Sequence, residues 1–242
     1  SLHDALPISE SYRRAVWPAD AFVAMASLKM HDRLFVPLYD SLIASWILKV
    51  QGQLDPFTGL IPHEVASASG HVLQGARGSS MSLILIFLSE IDSLFATRQM
   101  QQYQKIFLIH PMGLQAIREY PKGKQGTGDI DSGPVIMGMS LAGSITSVGC
   151  LLKLGKRSLA CSISSSIECF GLSYQSGADK KFLLGTFPIA DLFIAWTQLQ
   201  EGDSNSGGIQ EHTVSDSHLY FYLISLVLLS MFGYLVKKCL PF

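Results

Sequence analysis

The sequence predicts an all-α protein: a toroid-like barrel of helical hairpins, (α/α) in type and truncated at its N-terminus, followed by one C-terminal transmembrane helix. Three observations predict this fold. Apolar residues recur at helical spacing through most of residues 9–200. Helical segments that are apolar all round alternate with amphipathic ones, as they would if an inner ring were buried and an outer ring faced solvent. Near the end of the chain, a polar stretch precedes an uncharged apolar run.

The composition favours a large buried fraction and argues against nucleic acid as a partner. Hydrophobic residues make up 48% of the 242 residues and charged residues 15%, whereas soluble domains usually carry about 25% charged residues. The formal net charge is −1, so the chain lacks the basic surface that phosphate backbones attract. We therefore expect no nucleic-acid partner.

The first eight residues, SLHDALPI, are interpreted as a sequencing-adapter scar. They match the translation of a common short-read sequencing adapter and have neither the basic start nor the apolar core of a signal peptide. Residues 1–8 are left out of the fold prediction, and we expect the native N-terminus to be missing from this sequence.

Residues 9–200 are predicted to form the incomplete toroid. Pro18 suits the first turn of the first helix, and the segment 79–91 is apolar nearly all round, which predicts a helix buried on every side. An uncharged run rich in small residues predicts another buried helix over 133–152. Further helices are expected within 37–51, 93–110, 159–170 and 186–200, and the spacing of apolar residues predicts that 93–110 is amphipathic.

The C-terminal part is predicted to anchor the protein in a membrane. Residues 201–217 are rich in Gly, Ser and Asp, which is typical of a flexible linker. Residues 218–238 are predicted to be a transmembrane helix, because about 20 apolar residues cross a bilayer. Lys237 and Lys238 place the tail 239–242 in the cytoplasm and the body of the protein outside it. A buried core helix is the alternative for this segment.

Four loops carry polar side chains just before predicted helices, and we expect these loops to meet at one mouth of the barrel. The predicted catalytic carboxylates are Asp20, Asp129 and Asp131. The residues expected to bind substrate are Trp17, His63, Arg77, Ser79, Glu119 and Tyr120.

Structural alternatives stay open for most of these residues. Asp131 also suits a helix N-cap, Asp129 suits an Asx turn, and Ser79 is a good capping residue. Arg77 could serve only to neutralise a buried carboxylate, with Asp20 as its partner. Phosphate-loop, GxGxxG, GxSxG and HExxH motifs are absent from the sequence. No metal site and no cofactor are therefore predicted.

The same loops resemble an uncharacterised bacterial family of helical toroid proteins. The motifs that carry this resemblance are VWPAD, TGLIPH, RGSS, REYPKG and GDIDSGP, and it covers roughly residues 10–200. The family is similar in architecture to six-hairpin glycosidases and to linalool dehydratase-isomerase-like proteins. The resemblance implies action on a carbohydrate through paired carboxylates, or dehydration and isomerisation.

The function expected from these observations is that of a membrane-tethered, extracytoplasmic enzyme that cleaves or modifies a glycan or polyol. Asp129 or Asp131 would act as acid or base with Asp20 as partner, and Trp17 would stack on a sugar ring. The expected partners are a small-molecule or glycan substrate and a lipid bilayer. Two alternatives remain open: a dehydratase or isomerase acting on an apolar alcohol, and a membrane-anchored module that binds without catalysis.

Overall fold

The computed structural model describes residues 11, 15–67, 69–129, 132–200, 223, 225–232, 234 and 237. The described part is mostly helical, as the sequence predicted. Its labelled α-helices are α1 (Pro18–Leu34), α2 (Asp40–Gln51), α3 (Gly78–Ile91), α4 (Ser93–Phe107), α5 (Leu141–Lys153), α6 (Arg157–Phe170) and α7 (Pro188–Gln198).

Helices α3 and α5 form the centre of the core. Helix α3 is apolar on almost all of its surface, and Ile84, Leu85 and Ile86 are fully buried. Helix α5 approaches it closely because small residues lie at the contact. A Cβ atom on Gly149 would lie 3.1 Å from Ile86 Cδ1 and 3.3 Å from Thr197 Cβ, so this glycine lets α5 pack against both α3 and α7.

The odd-numbered helices form a row in the order α1, α3, α5, α7, and the even-numbered helices each pack on the preceding odd one. Helix α4 shows why. It buries Phe95, Met100 and Tyr103 while Arg98 and Lys105 remain exposed, which is the amphipathic pattern of an outer helix. The sequence predicted this division for α4.

A charge cluster joins the C-terminal ends of three helices. Arg33 of α1 lies 2.6 Å from Glu90 of α3, and Lys153 of α5 also pairs with Glu90. Since the last turns of α1, α3 and α5 meet here, these helices run parallel. The N-terminal ends of these three helices therefore lie together on the opposite side of the helix layer, as do the loops that lead into them.

Short antiparallel strands organise these loops. The three-stranded sheet β1–β2–β3 (Ala15–Val16, Glu64–Ala66 and Val72–Gln74) ties the chain entering α1 to the chain before α3. Three two-stranded sheets follow: β4–β5 (Leu108–Ile109, Ala116–Ile117), β6–β7 (Val135–Ile136, Met139–Ser140) and β8–β9 (Tyr174–Ser176, Asp179–Lys181). Strands of two or three residues are too short to show an alternating pattern in the sequence.

The predicted helix over 133–152 is wrong at its beginning. Residues 135–140 form the β6–β7 hairpin, whose turn places Met137 and Gly138 at positive φ (53° and 80°), and α5 starts only at Leu141. Ser140 caps α5 by accepting a hydrogen bond from the backbone N–H of Gly143 at 3.0 Å.

The fold-class and membrane predictions need correction. In the described part of the chain, the helices form an open row from α1 to α7 and not a closed, toroid-like barrel. The predicted transmembrane helix is also wrong by this structure, since no helix among the described residues is both long and apolar enough to cross a bilayer. The prediction of a single-pass membrane protein with an extracytoplasmic body is thereby overturned.

The remaining segment predictions lie outside the described residues. They concern the scar at 1–8, the linker at 201–217 and the tail at 239–242.

Candidate functional site

The candidate site lies where the loops before α3 and α5 meet the end of β5. Its centre is Arg77, the last extended residue before α3 (φ −126°, ψ 150°). Glu119 and Tyr120 follow β5, and Asp129 and Ser132 lie in the loop before the β6–β7 hairpin. Four segments distant in sequence thus contribute to one cluster, which we call the Arg77 cluster: His63, Arg77, Glu119, Asp129 and Ser132.

The guanidinium of Arg77 holds the cluster together. Its Nε donates to Glu119 Oε1 at 2.6 Å, one Nη donates to Asp129 Oδ2 at 2.5 Å, and the other Nη donates to Ser132 Oγ at 2.9 Å. The Arg77 side chain is only 4% exposed. Arginine suits this position because its planar fork offers five donors in fixed directions.

Glu119 is the buried counter-charge of Arg77. Its side chain is 0% exposed, and it accepts a second hydrogen bond from Ser79 Oγ at 2.8 Å. The Gly78 N–H donates to the Glu119 carbonyl at 2.9 Å. These bonds hold Glu119 against the first turn of α3, so the buried carboxylate stabilises the fold and does not face a ligand.

Asp129 is the carboxylate of the cluster that reaches solvent, with 33% of its side chain exposed. Burial opposes its ionisation, but the backbone N–H of Ser132 (2.8 Å from Oδ1) and the Arg77 guanidinium outweigh that effect. Together they lower the pKa of Asp129 to about 2. Asp129 is therefore an anion throughout the physiological pH range and cannot donate a proton there.

His63 is neutral, and its tautomer follows from its neighbours. Burial and the positive charge of Arg77 lower the pKa of His63 to about 4, against a smaller opposing effect of Asp129. An Nη of Arg77 lies 3.1 Å from His63 Nε2, and arginine can only donate. Nε2 is therefore the acceptor and Nδ1 carries the proton, which it donates to Ser80 Oγ at 2.5 Å. In this state His63 cannot take a proton from Ser80, so the pair is not an activated nucleophile.

Two aromatic rings border the cluster. Trp17 stacks on His63 with ring centroids 5.9 Å apart, and Tyr120 lies against the Arg77 guanidinium at 5.1 Å. Tyr120 also accepts a hydrogen bond from the N–H of Gly128 at 3.2 Å. Gly128 adopts a positive φ of 81°, so a residue that tolerates left-handed backbone directly precedes Asp129.

Asp55 braces the loop that carries His63. Its carboxylate accepts from the N–H of Phe57 at 3.1 Å, from Thr58 Oγ1 at 2.6 Å and from the N–H of Ala76 at 3.1 Å. The last bond connects this loop to the residue before Arg77. Asp55 therefore fixes the position of His63 relative to Arg77.

The structure brings most of the predicted residues together. Those that it places in or against the Arg77 cluster are Trp17, His63, Arg77, Ser79, Glu119, Tyr120 and Asp129. Asp20 lies exposed on the first turn of α1, and the described structure shows no hydrogen bond or ion pair between Asp20 and Arg77. Glu119 and Asp129 are the partners of Arg77 instead. Asp131 lies outside the described residues, and the catalytic roles of Asp20 and Asp131 stay predictions.

Ser80 and Ser132 belong to the site but were not among the residues predicted for it. Ser79 was a capping candidate, yet α3 begins without a side-chain cap, and the hydroxyls of Ser79 and Ser80 bond to Glu119 and His63 instead. Ser132 forms a reciprocal pair with Asp129: each backbone N–H donates to the other side chain, at 2.9 and 2.8 Å. The local GDIDSG pattern, with acceptors three residues apart, is the signal that could have indicated this turn.

No protein-family model matches the chain, and no curated protein matches it either. In the described part of the chain, no group of three or more His, Cys, Asp or Glu side chains could hold a metal ion.

The state of His63 leads to a prediction about pH. Its folded-state pKa (about 4) lies below the value of 6.5 expected for an unfolded chain, so the unfolded state binds the extra proton between these values. Above about pH 6.5, His63 therefore adds no pH dependence to the free energy of unfolding. Below that value, its protonation in the unfolded state lowers the free energy of unfolding as the pH drops towards 4. The shift corresponds to about 3 kcal/mol.

We expect His63→Gln to remove this part of the pH dependence, because glutamine keeps the polar contacts without titrating. Urea unfolding of both proteins at pH 7 and pH 4.5 measures the difference. In addition, ¹⁵N NMR of the imidazole should show Nδ1 protonated and Nε2 bare at pH 7. A His63 that gains a proton near pH 6.5 would contradict the structure.

Proposed function

We propose that the chain binds a sugar or polyol at the Arg77 cluster and acts on it through the ionised carboxylate of Asp129. The observation that carries this proposal is the contrast between the two acids of the cluster. Glu119 is fully buried, whereas Asp129 is held in position by Arg77 and still exposes a third of its side chain. A fixed, ionised carboxylate beside aromatic rings is well suited to accept hydrogen bonds from substrate hydroxyls.

The pKa of Asp129 limits the chemistry that it can perform. A carboxyl group with a pKa of about 2 is a poor general acid near neutral pH, since a proton donor needs a raised pKa. Asp129 is proposed to act as the nucleophile or as the group that stabilises developing positive charge at the reacting carbon. The proton donor would then be a second side chain in its protonated carboxyl form, for which Asp131 and Asp20 are the residues predicted from the sequence.

The resemblance of the loop motifs to an uncharacterised bacterial family that is similar in architecture to six-hairpin glycosidases is a second line of support. Trp17 and Tyr120 add a third. Both rings lie beside the cluster. Each combines a flat apolar face with one polar group, the indole N–H of Trp17 or the hydroxyl of Tyr120.

Binding without turnover is the second candidate function, and one observation favours it. The pKa of His63 is about 4 and that of Asp129 about 2, so neither of these two groups has a pKa near 7. A site built for proton transfer at neutral pH usually holds one group close to that value.

Calorimetry against a panel of neutral monosaccharides, disaccharides and polyols tests the proposal, with chromatography of the same mixtures to detect products. We expect Asp129→Asn to weaken binding of any panel member that binds by about ten- to a hundredfold, because a hydrogen bond to a charged acceptor contributes about 1.5–3 kcal/mol. Product formation with the native protein selects the enzyme, and binding alone selects the second candidate.

Two further variants complete this test. Asp179→Asn is the matched control, since Asp179 is an exposed carboxylate in the β8–β9 hairpin, and it should bind like the native chain. Asp20→Asn tests the predicted partner: loss of turnover with retained binding would assign it the role of proton donor. Equal binding by the native protein and Asp129→Asn would refute the proposal.

A further inference from the structure

Helix α7, the last helix of the row, is apolar on two sides, and the described structure covers only one of them. The first side faces the core and carries Ala190, Ile194 and Thr197, which are 1–7% exposed. On the second side, apolar residues recur from residue 189 at the spacing i, i+3, i+4, i+7 and i+10, which is typical of one helical face. Four of them are 40–79% exposed and form what we call the α7 stripe: Ile189, Leu192, Phe193 and Leu199.

The α7 stripe is a rigid surface, because the core holds its centre. Trp196, the half-buried i+7 residue, stacks on Phe87 of α3 with ring centroids 6.3 Å apart. Phe193 in turn meets Trp196 edge to face at 6.0 Å. A surface fixed in this way loses little conformational entropy when a partner covers it.

A second uncovered apolar surface lies near the C-terminus. Residues 225–232 are helical, and we call this segment the apolar helix. Because its apolar side chains are nearly consecutive in sequence, they point to all sides of the helix axis, and helices of this kind are normally buried on more than one side. Each of these side chains is nevertheless 57–69% exposed: Leu226, Val227, Leu228, Leu229, Met231 and Phe232.

The chemistry of the two surfaces selects an apolar partner. Neither the α7 stripe nor the apolar helix contains a charged residue. The one charged side chain of α7, Asp191, accepts a hydrogen bond from the Phe182 N–H at 2.9 Å. A nucleic acid or a charged peptide would therefore find no counter-charge on either surface.

The geometry of the two surfaces favours a second copy of this chain as that partner. Within one chain, the α7 stripe is a single helical face and can cover only one side of the apolar helix. A second copy supplies another stripe and another apolar helix, so that each apolar helix is covered on at least two sides. Residues 200–224 connect the two surfaces, and a chain of that length spans up to about 80 Å. Both surfaces can therefore take part in one interface.

We propose that the chain forms a two-fold dimer in which two α7 stripes and two apolar helices make one four-helix contact. A fully exposed apolar side chain presents on the order of 100 Å². The four side chains of the stripe and the six of the apolar helix, about 60% exposed on average, thus leave about 600 Å² per copy in water. The dimer would bury about 1,200 Å², which is the lower end of the range for specific interfaces.

This interface is independent of the proposed sugar or polyol site, because it shares no residue with the Arg77 cluster. An interface of this size is expected to dissociate with a Kd on the order of micromolar. Sedimentation equilibrium of the full chain, at concentrations on both sides of that value, should therefore show a monomer–dimer equilibrium.

Three leucine-to-lysine variants locate the interface. Leu192 of the α7 stripe, Leu229 of the apolar helix and Leu48 of α2 are each 69% exposed, so the three substitutions start from equal exposure. Leu192→Lys and Leu229→Lys should each weaken the dimer by about a hundredfold or more, since an unpaired ammonium group would be buried in an apolar contact. Leu48→Lys lies outside both surfaces and should leave the Kd unchanged. Circular dichroism should show native helix content in all three variants, because each position is exposed.

NMR of a mixed sample shows whether the contact joins two copies. One copy carries ¹³C-labelled methionine methyl groups and the other is unlabelled, and we expect isotope-filtered NOEs from the Met231 methyl group to protons of the unlabelled copy. A monomer at every concentration, or an equal loss of the dimer in Leu48→Lys, would overturn the proposal. Phosphatidylcholine vesicles that bind the native protein and dissolve the dimer would overturn it as well, because the apolar helix would then prefer lipid to a second copy.

Discussion

Arg77→Met is expected to lower the free energy of unfolding by about 3–5 kcal/mol, the usual cost of leaving a buried charge without its partner. The carboxylate of Glu119 is 0% exposed and lies 2.6 Å from Arg77 Nε. Methionine fills a similar volume but offers no donor, so Glu119 would keep only the bonds from Ser79. Urea unfolding at pH 7 measures the loss.

A double-mutant cycle separates the buried charge from lost packing. Adding Glu119→Gln to Arg77→Met removes the unpaired charge, and we expect the double variant to recover at least half of the loss. Arg98→Met is the matched control, because Arg98 lies exposed on α4, and it should change stability by less than about 1 kcal/mol. If the double variant were as unstable as the sum of the two single ones, the Arg77–Glu119 pair would not be coupled.

The helices of this protein could be predicted wherever apolar residues recur in the sequence at the spacing of one helical face. Helix α1 begins at Pro18 as expected, and α4 buries the apolar face that its spacing indicated. Local periodicity carries this information, because each side chain's direction follows from its position in the turn. The hairpin at 135–140 was missed for the opposite reason. Its two-residue strands contain no repeat long enough to be recognised.

The partners of Arg77 were beyond the reach of the sequence. Glu119 is 42 residues away from Arg77 and Asp129 is 52 residues away, and only the packing of α3 against α5 brings their loops together. The sequence placed all three in polar loops before helices but offered Asp20 as the counter-charge. Asp20 lies in the exposed first turn of α1, where an acidic side chain is favourable for the helix itself.

Gly78→Ala is expected to cost about 3 kcal/mol or more and to disturb the Arg77 cluster as well. Gly78 is the first residue of α3 and packs against the chain that leads from β5 to Glu119. A Cβ atom there would lie 2.9 Å from Ile117 Cγ2 and closer still to the carbonyl oxygen of Arg118. The second contact is with backbone, so relief requires a shift of the segment that carries Glu119.

Two helix-boundary glycines allow a controlled comparison. Alanine normally stabilises a helix by up to about 1 kcal/mol relative to glycine, so propensity alone predicts the opposite sign for Gly78→Ala. Gly52, after α2, has an ordinary φ of −80° and no side-chain crowding, the nearest atom being the Lys49 carbonyl at 3.4 Å. Thermal and urea unfolding should therefore show Gly52→Ala within about 1 kcal/mol of the native protein. Gly78→Ala should unfold at a clearly lower temperature.

Because its strain acts on the Glu119 segment, Gly78→Ala should also move the ¹⁵N signals of the Arg77 side chain. Equal stability of the two variants would mean that the β5–Glu119 segment yields at little cost and does not hold Arg77 rigidly.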